Sequence, residues 1–558
     1  MKRSLARFLG ALLIGLLITP VAAQGAGKPA PDTSGLPTIA DTNGNKLFDT
    51  LEEQLKVAGA NDTFDVIVQF TGPADANAYA SVERSAGPLV YKAQWNLALQ
   101  GFSATMTKAR IEALVRIPLV KSIEAEMEVH AFLNTATSWT GVNQARTDFG
   151  VDGDRDGNPA SYSTTDVVVA IIDTGIDAAH VDLDGGKVVG WRDEVNGKTA
   201  PYDDHGHGTH VSSISAGTGE GNAAYKGVAP GAALVGIKVL NSQGSGTTTQ
   251  IINGINWMIA NKATYNIRAA NMSLGASGCA DGTDSISTAV NNAVSNGIIM
   301  LVAAGNDGPK GCTIGTPAAA AQAITVSALY DPGEKGWVLA EFSSRGPTAD
   351  GRIKPDIATP GRYITAAQAN SGNAYITYSG TSMATPFMTG VVALMLDADN
   401  ALTDAGVKNI LYNSANVKDF GPAGTDVDYG YGINLSYDVV KAAGGFTGSF
   451  SDGLSHTYVA DSLGAAGQQD LWTITVTDAT RPIGLTMIMP NWRLLNPVKT
   501  DPDFDLYLLD PSGTQVASSL GTKRQEQILF QPTVTGTYTI KVYAYSGTGN
   551  YFFDASFR

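Results

Sequence analysis

The stretch Val167-Val168-Val169-Ala170-Ile171-Ile172 is an unbroken apolar run, and Asp173-Thr174-Gly175 follows it directly. An apolar run rich in β-branched side chains is typical of a strand that is buried on both faces of a parallel sheet. Similar runs alternate along the chain with segments of helical periodicity, such as Thr248–Ala263 and Ser285–Asn296. The further apolar runs are Leu234–Leu240, Ala269–Leu274, Ile298–Ala303 and Ile324–Val326. This alternation predicts a doubly wound α/β domain over residues 134–441.

Two polar residues directly follow predicted strands of this sheet. Asp173 comes after the strand that ends at Ile172, and Asn306 comes shortly after the strand that ends at Ala303. The carboxyl ends of the strands share one edge in an open parallel sheet, and ligands bind beyond that edge. We therefore expect Asp173 and Asn306 to lie together where the chemistry takes place.

A candidate nucleophile, Ser382, lies in Gly380-Thr381-Ser382-Met383-Ala384-Thr385-Pro386, at the start of a helical stretch that runs to Leu396. The positive end of a helix favours a developing anion, and Pro386 is tolerated only near a helix start. A serine hydroxyl needs a base to take its proton. His207, in His207-Gly208-Thr209-His210, is the expected base, and His210 is the alternative.

The order Asp173, His207, Ser382 is the chain order of the catalytic triad in subtilisin. The three stretches around these residues resemble those of the subtilisin-like serine proteases. The resemblance implies a serine endopeptidase that forms an acyl-enzyme, with Asp173 orienting His207 and stabilising its cation. It also implies that Asn306 and the backbone N–H of Ser382 donate to the oxyanion, and that His210 is structural.

Two segments, Asn271-Met272-Ser273-Leu274-Gly275 and Gly244-Ser245-Gly246, resemble the substrate-pairing edges of that family. The resemblance implies that an extended peptide adds as a strand between them. The substrate would contact Gly244, Ser245 and Gly246 on one side and Ser273, Leu274 and Gly275 on the other. The first specificity pocket would be lined by the small residues Ala303, Ala304, Gly305 and Gly315. Because no carboxylate is expected there, we predict broad endopeptidase action that favours large apolar residues before the cleaved bond.

The chain has two cysteines, Cys279 and Cys312. Cys279 lies just beyond Gly275 and Cys312 just before Gly315, so a disulfide between them would brace both walls of the implied pocket. Closing a loop of about thirty residues would stabilise the fold by a few kcal/mol. Two free thiols are the alternative.

The first residues have the pattern of a targeting segment. Lys2, Arg3 and Arg7 flank the start of an apolar run, Phe8–Ile18, and Val21-Ala22-Ala23 offers small residues for cleavage. The pattern predicts a signal peptide over residues 1–23 and a secreted, extracellular protein without membrane contact after its removal. An uncleaved anchor is the alternative, although the apolar run is short for a bilayer-spanning helix.

Residues 24–133 are expected to form a propeptide, with a linker over 24–60 and a folded unit over 61–133. The predicted element order of the unit is βαββαβ, which resembles the ferredoxin-like, inhibitor-type propeptide of subtilisin-like proteases. The resemblance implies a self-processing preproenzyme that is inhibited by its own propeptide. Cleavage is expected near Phe132–Thr135, because Phe132 and Leu133 suit the implied pocket.

The sequence texture changes after Gly444. Segments with alternating apolar residues, such as Leu471–Val476, Asp505–Leu509 and Thr537–Tyr543, lie between turn residues. This alternation predicts an all-β sandwich or jelly roll over residues 445–558. The unit resembles the pre-peptidase C-terminal domain of secreted proteases, and either a stabilising or a substrate-anchoring role is expected for it.

The chain is acidic, with 37 Lys and Arg against 52 Asp and Glu and a net charge of −15. This charge argues against nucleic acid or an anionic membrane as a partner and makes calcium a candidate structural cofactor. We expect no organic cofactor, and a monomer that acts on proteins and peptides.

Oxygen-bearing residues at alternate positions predict calcium loops, with ordinary solvated turns as the alternative. In the first of these loops Lys46 stands where the EF-hand pattern has Gly, and Asp182 matches a calcium ligand of the subtilisin-like family. The candidate ligands are Asp41, Asn43, Asn45, Asp49 and Glu52; Asp152, Asp154 and Asp156; Asp182; and Asp501, Asp503 and Asp505.

A rival function is a catalytically silent binding or adhesion protein built on a protease scaffold. The presence of Asp173, His207, Asn306 and Ser382 in one chain argues against it, because a silent scaffold has no need to keep all four.

Overall fold

A computed structural model describes residues 44–95, 100–125, 133–158, 161–490 and 501–558. The expected signal peptide, Asp41, Asn43, Phe132 and the side chains of Asp49 and Leu133 lie outside the described residues. In the described part of the chain, no helix is long and apolar enough to cross a membrane.

An N-terminal unit folds around a four-stranded antiparallel sheet. After helix α1 (Asp49–Val57), its elements follow in the order βαββαβ, and the strands lie in the sheet order β2-β3-β1-β4. Buried residues alternate along β1, as at Val66 and Val68, and they join the core that the helices cover. The elements are β1 (Thr63–Phe70), α2 (Ala76–Ala86), β2 (Tyr91–Trp95), β3 (Gly101–Thr107), α3 (Lys108–Val115) and β4 (Val120–Ala125).

The predicted doubly wound α/β domain is confirmed. Its helices cover a central nine-stranded sheet on both faces. The first half contains α4 (Leu133–Trp139), α5 (Val142–Phe149), β5 (Val168–Asp173), β6 (Val188–Asp193), α6 (His207–Ala216), β7 (Ala233–Lys238), α7 (Thr248–Tyr265), β8 (Ile267–Met272), α8 (Ser285–Ser295) and β9 (Ile299–Ala303).

The second half of this domain continues the same sheet and adds the long helix α10. It contains β10 (Ile324–Tyr330), α9 (Pro332–Lys335), β11 (Ile357–Arg362), β12 (Ile364–Ala367), β13 (Tyr375–Tyr378), α10 (Thr381–Ala398), α11 (Asp404–Leu411), β14 (Val417–Lys418), β15 (Ile433–Asn434) and α12 (Ser436–Gly444). The sheet order is β14-β15-β11-β10-β9-β8-β5-β7-β6, and all neighbours except the β14–β15 pair are parallel.

Strand β5 shows why its sequence is apolar throughout. Val169 and Ile171 pack into the core on the side of α10, whereas Val168, Ala170 and Ile172 pack on the side of α7 and α8. Each fully buried Val or Ile side chain contributes about 1.5–3 kcal/mol through the hydrophobic effect. The strand is thus held at the centre of the sheet, and it carries Asp173 to the sheet's carboxyl edge.

The C-terminal unit is a sandwich of two antiparallel four-stranded sheets, as predicted. The sheet orders are β16-β23-β18-β21 and β17-β22-β19-β20. Tyr538, Ile540, Val542 and Ala544 are buried on alternate positions of one strand, which explains the period of two in the sequence. The strands are β16 (Ser455–Leu463), β17 (Gln469–Val476), β18 (Ile483–Ile488), β19 (Asp503–Leu509), β20 (Gln515–Ser519), β21 (Gln525–Phe530), β22 (Gly536–Ser546) and β23 (Gly549–Phe557).

Candidate active site

Asp173 and His207 form a hydrogen-bonded pair at the carboxyl edge of the sheet. Asp173 is the last residue of β5 and is fully buried, and His207 opens α6. His207 Nδ1 lies 2.7 Å from Asp173 Oδ1. With Nδ1–H donating to the carboxylate, the neutral ring keeps its free lone pair on Nε2. The pair thus fixes the tautomer that a general base needs.

The environment of His207 tunes its basicity. Burial alone lowers the pKa of His207, but the negative charge and hydrogen bond of Asp173, together with the charge of Asp203, raise it above its ordinary value. A raised pKa means that the ring accepts a proton more readily and that it becomes neutral only at higher pH. His207 therefore matches the requirements of a base that later returns its proton as an acid.

Ser382 occupies the first turn of α10, where the helix N-terminus faces the same cleft. Its hydroxyl donates to the carbonyl oxygen of Ser273, at 3.2 Å, and the hydroxyl of Ser273 donates to the carbonyl oxygen of Ser382, at 2.9 Å. The second of these bonds exists because Pro386 has no N–H to offer to Ser382, its partner four residues back in the helix. Pro386 thus frees the carbonyl through which strand β8 and helix α10 are tied together beside the nucleophile.

Asn306 is oriented by Thr381, the residue before Ser382. Its Oδ1 accepts hydrogen bonds from the backbone N–H and the hydroxyl of Thr381, at 3.0 and 3.1 Å. Because Oδ1 is engaged, the amide NH₂ is the donor that this cleft-lining residue has left for a ligand. An amide donor beside the N–H groups of a helix N-terminus is suited to hold a developing oxyanion.

A single cleft of about 570 Å³ gathers these residues. His207, Asn306 and Ser382 line it, and Asp173 lies buried behind His207. All ten expected substrate-binding residues line the same cleft, namely Gly244, Ser245, Gly246, Ser273, Leu274, Gly275, Ala303, Ala304, Gly305 and Gly315.

One carboxylate lines the cleft, although it is not among the four small residues expected in the first specificity pocket. Asp307 follows Asn306 directly and is exposed. Residues that the sequence patterns did not reveal also line the cleft, among them His205 and the apolar side chains of Leu240, Ile251 and Ile286. His205 lies two residues before His207, so its proximity to the His207 motif could have predicted its place in the cleft. The apolar residues belong to helices and loops whose sequence patterns are those of any hydrophobic core, so no signal marked them.

The two walls of the pocket are joined in two ways. Backbone bridges pair Ala276 with Thr316, and the N–H of Ala280 donates to the carbonyl oxygen of Ile314. A disulfide joins Cys279 to Cys312, whose Cα atoms are 5.0 Å apart. Gly315 permits this closeness, since a Cβ there would lie 2.0 Å from the carbonyl oxygen of Ala276.

His210 is placed where it cannot act as the base. It is fully buried, and its Nε2 lies 3.0 Å from the carbonyl oxygen of Ile376. Burial lowers the pKa of His210 to about 3, so the ring is neutral over the working range of most proteins. His210 therefore belongs to the core beneath α6.

The described part of the first candidate calcium loop, from Gly44 onward, matches the EF-hand backbone at one position. Lys46 adopts a φ of 73°, the left-handed conformation for which the EF-hand pattern uses Gly. Asn45 Oδ1 accepts the N–H of Leu47, at 2.8 Å, and Glu52 lies in α1.

The second loop gathers a different set of carboxylates from the predicted one. Ligand atoms of Asp154, Asp156 and Asp166 all lie within 4.8 Å of one another. Asp152 is outside this group, and its Oδ1 instead accepts the N–H of Asp154, at 2.9 Å. Asp166 was missed because it precedes β5 and lies ten residues beyond Asp156, too far for a local spacing rule.

Asp182 is a fully buried carboxylate. Its Oδ1 accepts hydrogen bonds from the hydroxyl of Tyr375, at 3.0 Å, and the N–H of Gly221, at 3.1 Å. Among the described residues, no donor reaches Oδ2.

The acidic cluster of the C-terminal unit includes a residue that the sequence did not predict, Glu526. Glu526 Oε2 accepts the N–H of Gly521, at 3.0 Å, but no hydrogen-bond donor of the described chain reaches the buried Oε1. Burial, with smaller contributions from the negative charges of Asp505 and Asp503, raises the pKa of Glu526 to about 7. The ionised form of Glu526 is therefore disfavoured chiefly by burial, and a bound cation would stabilise that form. Asp501 lies two residues before β19, next to this cluster.

Comparison with known proteins agrees with this geometry. The model of the subtilase family matches residues 164–432, and that of the bacterial pre-peptidase C-terminal domain matches residues 468–544. The chain is 39% identical to serine protease AprX of Bacillus subtilis (strain 168) over 338 residues, which cover 56% of this chain and 73% of that protein.

Two further relatives are similar over the same region. The chain is 35% identical to subtilisin E of Bacillus subtilis (strain 168) over 320 residues, which cover 56% of this chain and 74% of that protein. It is 38% identical to subtilisin of Bacillus pumilus over 275 residues, which cover 49% of this chain and 90% of that protein. The chain therefore belongs to the subtilase family of serine peptidases and carries a C-terminal pre-peptidase domain.

Proposed function

We propose that this subtilase is a secreted endopeptidase of broad specificity in which Ser382 is the nucleophile, His207 the general base and Asp173 its orienting partner. The observation that carries this proposal is the single cleft that brings Ser382 and Asn306 together with the hydrogen-bonded pair Asp173–His207. The two edges of that cleft leave room for an extended peptide between Gly244–Gly246 and Ser273–Gly275.

The reaction follows from the placement of these groups. Ser382 Oγ attacks the peptide carbonyl carbon while His207 Nε2 takes the hydroxyl proton, and the buried Asp173 stabilises the imidazolium. Asn306 and the N–H groups at the start of α10 hold the oxyanion. His207 then gives the proton to the leaving amine, and an acyl-enzyme on Ser382 remains. Water, activated by the same base, hydrolyses the ester and restores the serine hydroxyl.

The first specificity pocket favours apolar side chains because its walls are small and uncharged. We expect peptides with Phe or Leu before the cleaved bond to show kcat/KM values about ten- to hundredfold above the matched Ala peptide, since burying such a side chain is worth about 1.5–3 kcal/mol. The measurement is kcat/KM for peptides that differ at this one position, with Lys and Asp peptides included. Faster cleavage after Lys than after Phe would show that the Asp307 carboxylate controls the pocket and would overturn the apolar assignment.

The proposal extends to how the enzyme is made. Residues 1–23 would direct secretion, residues 24–133 would form the propeptide, residues 134–441 the catalytic domain and residues 445–558 the C-terminal domain. The βαββαβ unit with sheet order β2-β3-β1-β4 supports the propeptide assignment, because this topology is ferredoxin-like. Its inhibitory role would end when the enzyme cuts its own chain near Phe132–Thr135. We propose that the mature enzyme is a monomer.

Calcium would serve as a structural ion, because calcium prefers six to eight oxygen ligands and acidic loops supply them. The residues that would hold it are the oxygen-bearing side chains of the candidate sites, and in the described part of the chain Asp154, Asp156 and Asp166 are the group whose ligand atoms lie within 4.8 Å of one another. The candidates are Asn45, Asp49 and Glu52 in the first loop, with Asp41 and Asn43 before them; Asp154, Asp156 and Asp166 in the second; Asp182 with its orphaned Oδ2; and Asp503, Asp505 and Glu526, with Asp501 beside them, in the C-terminal domain.

Glu526 gives the calcium proposal a test with a defined pH dependence. Its pKa in the folded protein, about 7, lies above the ordinary value of 4.5. The ionised form is therefore disfavoured by folding, and without calcium the free energy of unfolding should fall by up to about 3 kcal/mol as the pH rises from 4.5 to 7. Calcium at a hundredfold excess over its Kd should restore about 2.7 kcal/mol.

The measurement is thermal unfolding of the C-terminal domain in the intact protein at pH 5 and 7, with calcium or with a chelator. Glu526→Gln should flatten the pH dependence and reduce the calcium response, whereas Glu220→Gln, which changes an exposed carboxylate, should alter neither. If Glu526→Gln keeps the full calcium response, the ion binds elsewhere.

A further inference from the structure

The loop 307–312 connects the oxyanion residue Asn306 to the pocket wall that begins at Thr313. This loop and Thr313 are joined to a supporting segment, residues 342–346, by several hydrogen bonds, including one from the N–H of Asp307 to the hydroxyl of Ser344, at 3.2 Å. The N–H of Gly308 donates to the carbonyl oxygen of Phe342, and the N–H of Cys312 donates to that of Gly346. Thr313 and Arg345 exchange two more, at 2.9 and 2.8 Å. The position of the pocket wall therefore depends on the position of Arg345.

Arg345 is itself held by a buried charge cluster that crosses into the C-terminal domain. Its guanidinium is fully buried, with Nε 3.3 Å from Asp428 Oδ1. Its Nη2 donates to the side-chain oxygen of Gln525, at 2.7 Å, and Gln525 opens strand β21 of the C-terminal sandwich. Asp428 lies in the catalytic domain and carries the charge that both domains share.

Arg524, which precedes Gln525 in the chain, is the third charged residue of the cluster and also contacts loop 307–312. Nη1 and Nη2 of Arg524 donate to the two carboxylate oxygens of Asp428, at 2.6 and 3.1 Å, and Nη1 also donates to the carbonyl oxygen of Pro309, at 3.2 Å. Arg524 is 4% exposed and Asp428 is 2% exposed. A bidentate pair between such buried groups is geometrically specific, and loss of one partner leaves an uncompensated charge in the interior.

We propose that Arg524 is a positioning residue for the substrate site, through which the C-terminal domain fixes the loop between the oxyanion residue and the specificity pocket. The proposal rests on the assignment of Ser382, Asn306 and the pocket made above. It adds that the C-terminal domain helps to shape the substrate site of the enzyme. This role goes beyond that of a stabilising or substrate-anchoring module. The guanidinium of Arg524 bonds both Asp428 and Pro309. The position of loop 307–312 is therefore coupled to the interface between the two domains.

Other hydrogen bonds across the same interface do not involve loop 307–312. They provide a matched control for the loss of an interface contact. The side-chain amide of Gln527 donates to the hydroxyl of Tyr330, at 2.9 Å, and the N–H of Leu339 donates to the hydroxyl of Thr486, at 3.2 Å. Tyr330 lies in β10, and Leu339 follows α9. A substitution at Gln527 weakens the interface without removing a hydrogen bond to loop 307–312.

The experiment compares Arg524→Gln, Arg524→Lys and Gln527→Met in the full chain. For each variant, kcat and KM are measured with two peptides that differ only in Phe or Ala before the cleaved bond, well below the unfolding temperature. The ratio of the two kcat/KM values reports the pocket, and thermal unfolding reports the interface.

We expect Arg524→Gln to reduce the Phe/Ala ratio about three- to tenfold, mainly through a higher KM for the Phe peptide. Arg524→Lys keeps a cation beside Asp428, which favours folding, but one ammonium lacks the fork that reaches both Asp428 and Pro309, so its ratio should also fall. Gln527→Met should lower the unfolding temperature and leave the ratio unchanged.

An unchanged ratio in Arg524→Lys, or an equal change in Gln527→Met, would overturn the positioning role while leaving the proposed function intact. If the unmodified chain cleaves neither peptide, the proposed function itself fails, so the two failures are distinguishable.

Discussion

Replacing Ser382 with alanine should lower kcat for peptide hydrolysis by about a millionfold, the loss that removal of the nucleophile causes in subtilisin. The change deletes one oxygen from a side chain that lies at the first turn of α10. Its hydroxyl makes one hydrogen bond, to the carbonyl oxygen of Ser273, so little stability is at risk. The fold should persist while the acyl-enzyme can no longer form.

The same variant tests self-processing. The mass of the purified chain is measured before and after incubation with calcium, for the unmodified protein, Ser382→Ala and Ser295→Ala. Ser295 lies at the end of α8 and its hydroxyl donates to the carbonyl oxygen of Asn291, away from the cleft. We expect the unmodified chain and Ser295→Ala to lose residues 24–133 and Ser382→Ala to stay whole.

Two outcomes would contradict this expectation. If all three chains stay whole under folding conditions, the chain does not process itself, and the silent binding or adhesion protein becomes the better reading. If Ser382→Ala is processed as fast as the unmodified chain, the cleavage comes from another protease in the preparation.

The central sheet was predictable where one local signal was sufficient. The apolar run before Asp173 is buried on both faces of the sheet. The run is apolar at every position because of this double burial. Strand β11 was not predicted, because Ile357–Arg362 contains Thr359, Pro360 and Gly361 and has no apolar run. It forms a strand through parallel pairing with β10 on one side and β15 on the other.

The residues of the candidate site were likewise predictable where a local sequence signal marks them. Asp173, His207, Asn306 and Ser382 each lie in a recognisable local stretch, and the strand-end rule already places two of them at one edge. Asp166 and Glu526 join their sites through the tertiary fold alone. Glu526 in particular is brought to Asp503 and Asp505 by the sheet packing of the C-terminal sandwich, and an isolated Glu in β21 carries no sequence signal.

Asn306→Leu should lower kcat about a hundred- to thousandfold with little change in KM, which corresponds to about 2.7–4 kcal/mol of transition-state stabilisation. This magnitude is the one known for the equivalent asparagine of subtilisin. Thr381 holds Oδ1 and leaves the amide NH₂ as the free donor, so we expect the donor to be preorganised for an oxyanion that exists only during the reaction. A group that binds the transition state better than the substrate acts on kcat.

Thr381→Val is the matched control for orientation. It removes the hydroxyl bond to Asn306 Oδ1 and the bond that the hydroxyl accepts from the N–H of Gly305, but it keeps the backbone N–H bond, so the amide loses one of its two hydrogen bonds. We expect its kcat to fall by about tenfold at most, since a single hydrogen bond contributes about 0.5–1.5 kcal/mol. Steady-state kinetics with one peptide separates kcat from KM in each variant. A loss in Asn306→Leu that appears in KM alone would assign Asn306 to substrate binding and leave the oxyanion to the backbone N–H of Ser382.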